Sequence, residues 1–213
     1  MTPLPFRPLL SLLLVLSLAA CAPPRQPPMP VGDLKLGQAH FTHPETMADL
    51  LAGYPREDVP AVEEKVLGEM DLLFSRVLAL ESPHSYIGPE KSLACARSLK
   101  IASPERQSAL RKWSAVGRCM EVDLLIVPQI LEWREREGAQ YAASAPAGVI
   151  MDTYVLDVRG ESLISRSHYD ATQSALAANL LDLDTFLKRG GKWVQAGDLA
   201  REGMEKAVKE LGL

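Results

Sequence analysis

Val149-Ile-Met-Asp-Thr-Tyr-Val-Leu-Asp-Val158, Arg159-Gly160-Glu161 and Ser162-Leu-Ile-Ser-Arg-Ser-His-Tyr169 follow one another in this 213-residue chain, and together they decide its fold class. The first stretch is rich in β-branched and aromatic residues, and the second is three turn-forming residues around a glycine. The third carries enough apolar and aromatic residues to form another strand, so the whole reads as a hairpin. Upstream, Val122-Asp-Leu-Leu-Ile-Val127 is a buried strand that continues through Gln129-Ile-Leu-Glu-Trp-Arg-Glu-Arg136 and turns polar toward its end. Pro128 has no N–H to give to a ladder, so this strand has an unpaired flank or a bulge there. A loop around Gly138 joins it to the hairpin.

Farther upstream the apolar period changes from two to three and four. Val62, Val66, Met70, Leu73 and Val77 recur with Glu63, Glu64, Lys65 and Asp71 between them, predicting an amphipathic helix of about five turns from Ala61. Ser82–Pro89 breaks it and leaves room for a very short strand at Tyr86-Ile87. Residues 90–100 read as helix, and Ser103-Pro104-Glu105-Arg106 opens another that runs to Val116 or Cys119. Leu180–Lys188 and Gly197–Leu211 close the chain as helices, the latter with Leu199, Gly203, Ala207, Val208 and Leu211 on one face. Residues 31–60, interrupted by glycines and prolines, read as mostly irregular with a short helix over Glu45–Leu51 and no clear strand. The expectation is an α+β domain over residues 35–213, an antiparallel (mixed) sheet of three to four strands with helices packed mainly on one face.

The N-terminus is not part of that domain. Arg7 precedes the apolar run Leu9–Leu18, which at about ten residues is half the roughly 20 needed to span a bilayer. With Ala19 and Ala20 behind it, this is the pattern of a signal peptide over residues 1–20. Leu18-Ala19-Ala20-Cys21 resembles the lipobox of bacterial lipoproteins, which implies diacylglycerol on the Cys21 sulfur and cleavage just before it. Ala22 in place of Asp implies, by the same resemblance, sorting to the outer membrane. Ala22-Pro-Pro-Arg-Gln-Pro-Pro-Met-Pro30 suits an extended polyproline tether of ~3.1 Å per residue, and residues 21–34 are read as lipidated cysteine and tether. A formal charge of −4 with no basic stripe argues against a nucleic-acid footprint.

With Cys21 acylated, Cys95 and Cys119 are the remaining thiols. An oxidising compartment and an even number point to a disulfide between them, and two buried thiols on helix faces are the other reading.

The order of elements resembles a group of bacterial envelope lipoproteins similar to the N-terminal domain of TolB, the curli secretion lipoprotein and the peptidoglycan-synthase activator lipoprotein. The segments that carry the resemblance are Val122–Val127 leading to Glu132–Arg136, Ser144–Val149, Leu156-Asp-Val158 and Tyr169–Gln173. Three shorter motifs add to it: Asp170-Ala-Thr-Gln173, Asn179-Leu-Leu181 and Arg189-Gly-Gly-Lys-Trp193. The likeness covers about residues 120–211. It implies a first strand ahead of the first helix, which residues 31–60 do not display.

Two clusters have the composition of chemistry. His168 and Asp170 are two apart on or near a strand and share a face, the spacing of an acid–base pair or of two metal ligands. An exposed strand end with ordinary polar residues explains them as well. Glu132, Glu135 and Glu137 alternate with Arg134 and Arg136 around Trp133; paired carboxylates of this kind serve glycosidases, whereas interleaved charges more often form a solvated strand end. Gly-Gly with two cations at Arg189–Trp193 lacks the strand-before, helix-after setting of a phosphate loop. His40, His43 and His84 are isolated in proline-rich loops, and no metal motif, nucleophile elbow or cofactor fingerprint is present.

The reading that follows is a non-catalytic accessory or assembly factor, anchored through Cys21 at the periplasmic face of the outer membrane. It would bind another envelope protein through a sheet edge, with no cofactor and no nucleic acid. The partner surface is expected at Asp170, Thr172, Gln173, Asn179, Arg189 and Trp193, where polar groups at element ends sit on a rigid sheet. A cell-wall or glycan hydrolase using His168, Asp170 or Glu132–Glu137 is the competing class, and a secretion-complex subunit is a third.

Overall fold

A computed structural model describes residues 32–56, 59–99, 107–139, 142–172 and 194–213. The elements in chain order are β1 (Leu36–Gln38), α1 (Glu64–Glu81), β2 (Tyr86–Ile87), α2 (Pro89–Ser98), α3 (Gln107–Met120), β3 (Leu124–Arg134), β4 (Glu137–Ala139), β5 (Ala142–Ala145), β6 (Gly148–Asp157), β7 (Ser162–Thr172) and α4 (Ala196–Leu211). The main sheet has the order β2-β1-β3-β6-β7. β1 pairs parallel with β2 and β3, while β3–β6 and β6–β7 are antiparallel, so the sheet is mixed and the fold is α+β.

The central strands form as the residue pattern predicts. β6 is buried at nine of its ten positions, and an eleven-residue β7 returns along it after the Arg159–Glu161 turn. Pro128 lies opposite Thr153 within the β3–β6 ladder. Its missing donor faces the other flank: Ala39 N–H donates to the Ile126 carbonyl and Ile130 N–H to Thr42, so even-numbered residues of β3 point toward β1. At position 128 that side lies between the end of the β1 ladder and the isolated Thr42–Gln129 bridge, so the unpaired flank is present. The bulge falls later, between Ile130 and Glu132.

Four expectations need correcting. The sheet has five strands rather than three to four. Residues 31–60 supply one of them: Leu36–Gln38 is β1, too short for any periodicity, and Glu45–Leu51 forms turns and bends instead of a helix. The loop around Gly138 holds a second small sheet of β4 and β5. Helices cover both faces of the main sheet instead of mainly one.

On the first face, Met70, Phe74, Val77 and Leu78 of α1 and Leu199, Met204, Ala207 and Val208 of α4 pack on Leu124, Ile126, Ile130, Val149, Met151 and Val155. Gly203 lets α4 come close, because a Cβ there would meet Tyr169 and the Met151 sulfur at under 3 Å. On the second face, Cys95 of α2 and Trp113, Val116 and Met120 of α3 pack on Leu125, Val127, Tyr154 and Leu156. Alternation along β3 and β6 feeds both layers, which is why these strands are apolar throughout. Cys95 and Cys119 form a disulfide, with Cα atoms 5.8 Å apart, tying α2 to α3. The opening turn expected at Ser103–Arg106, the helix expected over Leu180–Lys188, the signal peptide and the tether as far as Val31 lie outside the described residues. No helix among the described residues is long and apolar enough to cross a membrane.

Candidate functional site

The helix cover on the second face ends before β6 and β7 do, and polar side chains take over. Three cross-strand rows stand there: Gln129–Asp152–His168, Glu132–Ile150–Asp170 and Arg134–Gly148–Thr172. Asp152, two residues from Tyr154 on β6, shares its face.

Asp152 organises the first row. It is completely buried. Its Oδ1 lies 2.7 Å from His168 Nδ1, and its Oδ2 accepts from an Arg166 guanidinium nitrogen at 2.8 Å and from the Tyr154 hydroxyl at 2.9 Å. A carboxylate accepts only, so Nδ1 carries the proton, and the ring is half-exposed. Burial, then the Asp152 charge and hydrogen bond, raise the Tyr154 phenol above its ordinary value, so it stays a donor. Gln129 fastens the neighbouring chain segment: its Nε2 donates to the Asp49 carbonyl at 2.8 Å, and its Oε1 lies 3.4 Å from Leu51 N.

The third row is built around one arginine. Arg134 donates to Glu132 at 2.9 Å, to the Pro146 carbonyl at 3.3 Å and to Thr172 Oγ1 at 3.1 Å, and a Cβ on Gly148 would run into its guanidinium. Glu132 also pairs with Arg56 at 3.2 Å.

The structure thus gathers some of the expected site residues and separates others. His168, Asp170, Thr172 and Glu132 stand on one patch. The carboxylate held by His168 is Asp152 rather than Asp170, which makes no hydrogen bond or ion pair among the described residues. The glutamates are dispersed: Glu135 accepts from the Trp133 indole at 2.9 Å, and Glu137 belongs to β4. Cys21, Gln173, Asn179, Arg189 and Trp193 lie outside the described residues. No group of three or more His, Cys, Asp and Glu suited to a metal ion occurs among the described residues. Of the isolated histidines, His40 Nδ1 lies 2.9 Å from Ser92 Oγ and His43 Nδ1 2.9 Å from the Ile130 carbonyl. A groove of about 650 Å³ lined by Leu34, Asp123, Leu124, Asp157, Arg159, Gly160 and Ile164 opens at the opposite end of the sheet, away from these rows.

Asp152 and Arg166 were not singled out from the sequence. Their signal was one acid inside an otherwise buried strand, a position that demands a partner. With both Asp152 oxygens engaged, the cluster holds an imidazole and a guanidinium in fixed orientation at a surface, an arrangement suited to recognition.

No family model and no curated protein matches the chain. Among solved structures it is similar to the PelC dodecamer of Paraburkholderia phytofirmans, with 12% identity over 87% of this chain and 92% of that one and a TM-score of 0.47. The lipoprotein GNA1162 of Neisseria meningitidis gives 8% identity over 74% of this chain and 94% of that one, with a TM-score of 0.41. The LpoB C-terminal domain of Salmonella enterica gives 6% identity over 65% and 83%, with a TM-score of 0.38. Bacterial lipoproteins are therefore among the structures it resembles, and none of the three assigns it a function.

Proposed function

We propose that this chain is a periplasmic lipoprotein of the outer membrane, anchored through acylated Cys21, whose domain binds another envelope protein as a non-catalytic accessory or assembly factor. The observation that carries this reading is the Cys95–Cys119 disulfide in a chain whose third cysteine follows Leu18-Ala19-Ala20. A bond of this kind belongs to an oxidising compartment, and the remaining cysteine has the setting for lipidation. The Asp152 cluster suits recognition, because its carboxylate, engaged by Arg166, His168 and Tyr154, holds an imidazole and a guanidinium in fixed orientation. The proposed partner surface takes in Asp170 and Thr172 of β7 together with Gln173, Asn179, Arg189 and Trp193, which follow them in the sequence.

Metabolic labelling tests the anchor: Cys21→Ser should lose palmitate and leave the outer-membrane fraction, and a variant that kept both would refute it. For the partner, a photo-crosslinking residue at Thr172 should capture one defined envelope protein in intact cells. If purified cell wall were instead cleaved by the protein, and His168→Ala abolished the cleavage, the hydrolase reading would replace this one.

A further inference from the structure

The outer flank of β7 is an edge eleven residues long without proline or glycine, a feature that soluble proteins normally shorten, bend or cover. Its donor and acceptor directions follow from the ladder. Even-numbered residues of β3 point toward β1, so odd-numbered ones point toward β6; Gln129 and Val127 face Asp152 and Tyr154, which therefore point back toward β3. Thr153 then points toward β7 opposite Ser167, leaving the backbone groups of Arg166, His168 and Asp170 directed outward. The His168 carbonyl accepts the Lys206 ammonium at 2.8 Å, as a carbonyl outside the β6–β7 ladder can. No strand among the described residues pairs there.

Read in the opposite direction, the outward residues complement themselves. A two-fold axis through His168 sets Arg166 of one copy across from Asp170 of the other, twice. Arg166 already spans to Asp152, and Asp170, on the same patch, has no partner among the described residues. Directly opposed charges of opposite sign stabilise an antiparallel pair, and like charges destabilise it. We propose that β7 docks on β7 of a second copy of this chain, in the antiparallel register centred on His168, joining the two sheets into one. Such an interface is isologous, so it closes on itself as a dimer. The His168 N–H of one copy replaces the Lys206 ammonium at the His168 carbonyl of the other, and both Lys206 side chains come to lie beside the axis. The proposal does not rest on the membrane anchor; it uses Asp170, which the proposed envelope-partner surface also includes, so the second copy and that partner would compete for this edge.

Sedimentation of the full chain in density-matched detergent, together with amine crosslinking, tests it. The wild type should be a dimer and should yield a peptide joining Lys206 to Lys206, which only two copies can form. Asp170→Lys faces Arg166 with a like charge and should raise the dimer dissociation constant about tenfold or more, with the homotypic peptide lost. Asp170→Asn, which changes shape least, should give a smaller shift in the same direction and guards against a folding defect in the lysine variant. A wild type that stays monomeric at its highest soluble concentration would overturn the proposal, as would a dimer that neither variant weakens.

Discussion

The two faces of the sheet are closed by different means. The first is covered by α1 and α4 through apolar contact, with Phe74, Leu199 and Met204 fully buried, and α4 carries its own ends: a capping box between Gln195 and Asp198, and Gly212 in the left-handed conformation. The second is covered by two shorter helices, one of ten and one of fourteen residues, stapled to each other by the disulfide. Beyond their reach the buried Asp152 carries the partly exposed side chains of Arg166 and His168. The first layer holds the domain together and the second exposes a prearranged polar surface, and this difference is what makes the second face the place to look for function.

That division predicts a ranking. Phe74→Ala empties the centre of the apolar layer and should cost about 3–5 kcal/mol in urea denaturation. The Cys95→Ala/Cys119→Ala variant removes a crosslink that closes a sequence separation of 24 residues and should cost about 3 kcal/mol on the chain-entropy account. A disulfide loss exceeding the Phe74 loss would reverse the ranking and make the stapled layer the dominant one. Asp152→Ala strands Arg166, His168 and the Tyr154 hydroxyl, and should cost about 1–3 kcal/mol, less than full burial implies because the Arg166 and His168 side chains both reach solvent. It should also release the His168 ring, visible as a shift of its Nδ1 resonance; an unmoved resonance would show that Asp152 does not orient it.

The sequence made the first layer plain and half of the second. α1 and α4 announce themselves because their apolar residues recur at steps of three and four, and β3, β6 and β7 because they are long runs of strand-forming residues with a turn signal between β6 and β7. β1 did not, since three residues carry no period; it exists because Leu36, Gly37 and Gln38 find a ready-made parallel neighbour in β3, a tertiary cause. The helix expected at Glu45–Leu51 fails for a related reason: Gln129 and the Thr46–Asp49 contact take up the local polar groups and hold the segment as turns. Placement of helices on both faces was legible in principle, because β6 is apolar at odd and even positions alike, and a strand buried on both sides needs two covers. At the site, His168 and Asp170 stand out by residue type, whereas Asp152 is found only when the acid in the middle of a buried strand is asked for its counter-charge.

The smallest effect is also the sharpest test of the contrast, because each face holds one group whose protonation opposes the other's. His40 lies on the second face, against Ser92 and the Trp113 ring, and burial, aided by Lys112 and Arg97, lowers its pKa from 6.5 to about 4. The folded state then binds fewer protons than the unfolded one, so stability is present above pH 6.5 and is lost as pH falls toward 4. Asp71 lies on the first face, where its Oδ1 accepts the Phe41 N–H at 2.6 Å; burial raises its pKa from 3.8 to about 6, the Phe41 hydrogen bond opposes the rise, and the Glu90 charge adds to it. Here the folded state binds more protons, so stability is present below pH 3.8 and is lost as pH rises through 6. Between pH 4 and 6.5 the two slopes have opposite sign, and the wild-type melting temperature should change little on their account. Asp71→Asn, which keeps an acceptor for Phe41, should uncover the His40 slope, with the melting temperature falling as pH drops from 6.5 to 4. His40→Gln should uncover the Asp71 slope, with the melting temperature rising over the same interval. Two variants that ran parallel to the wild type would show that neither group changes its proton affinity on folding, and the electrostatic half of the contrast between the faces would go with them.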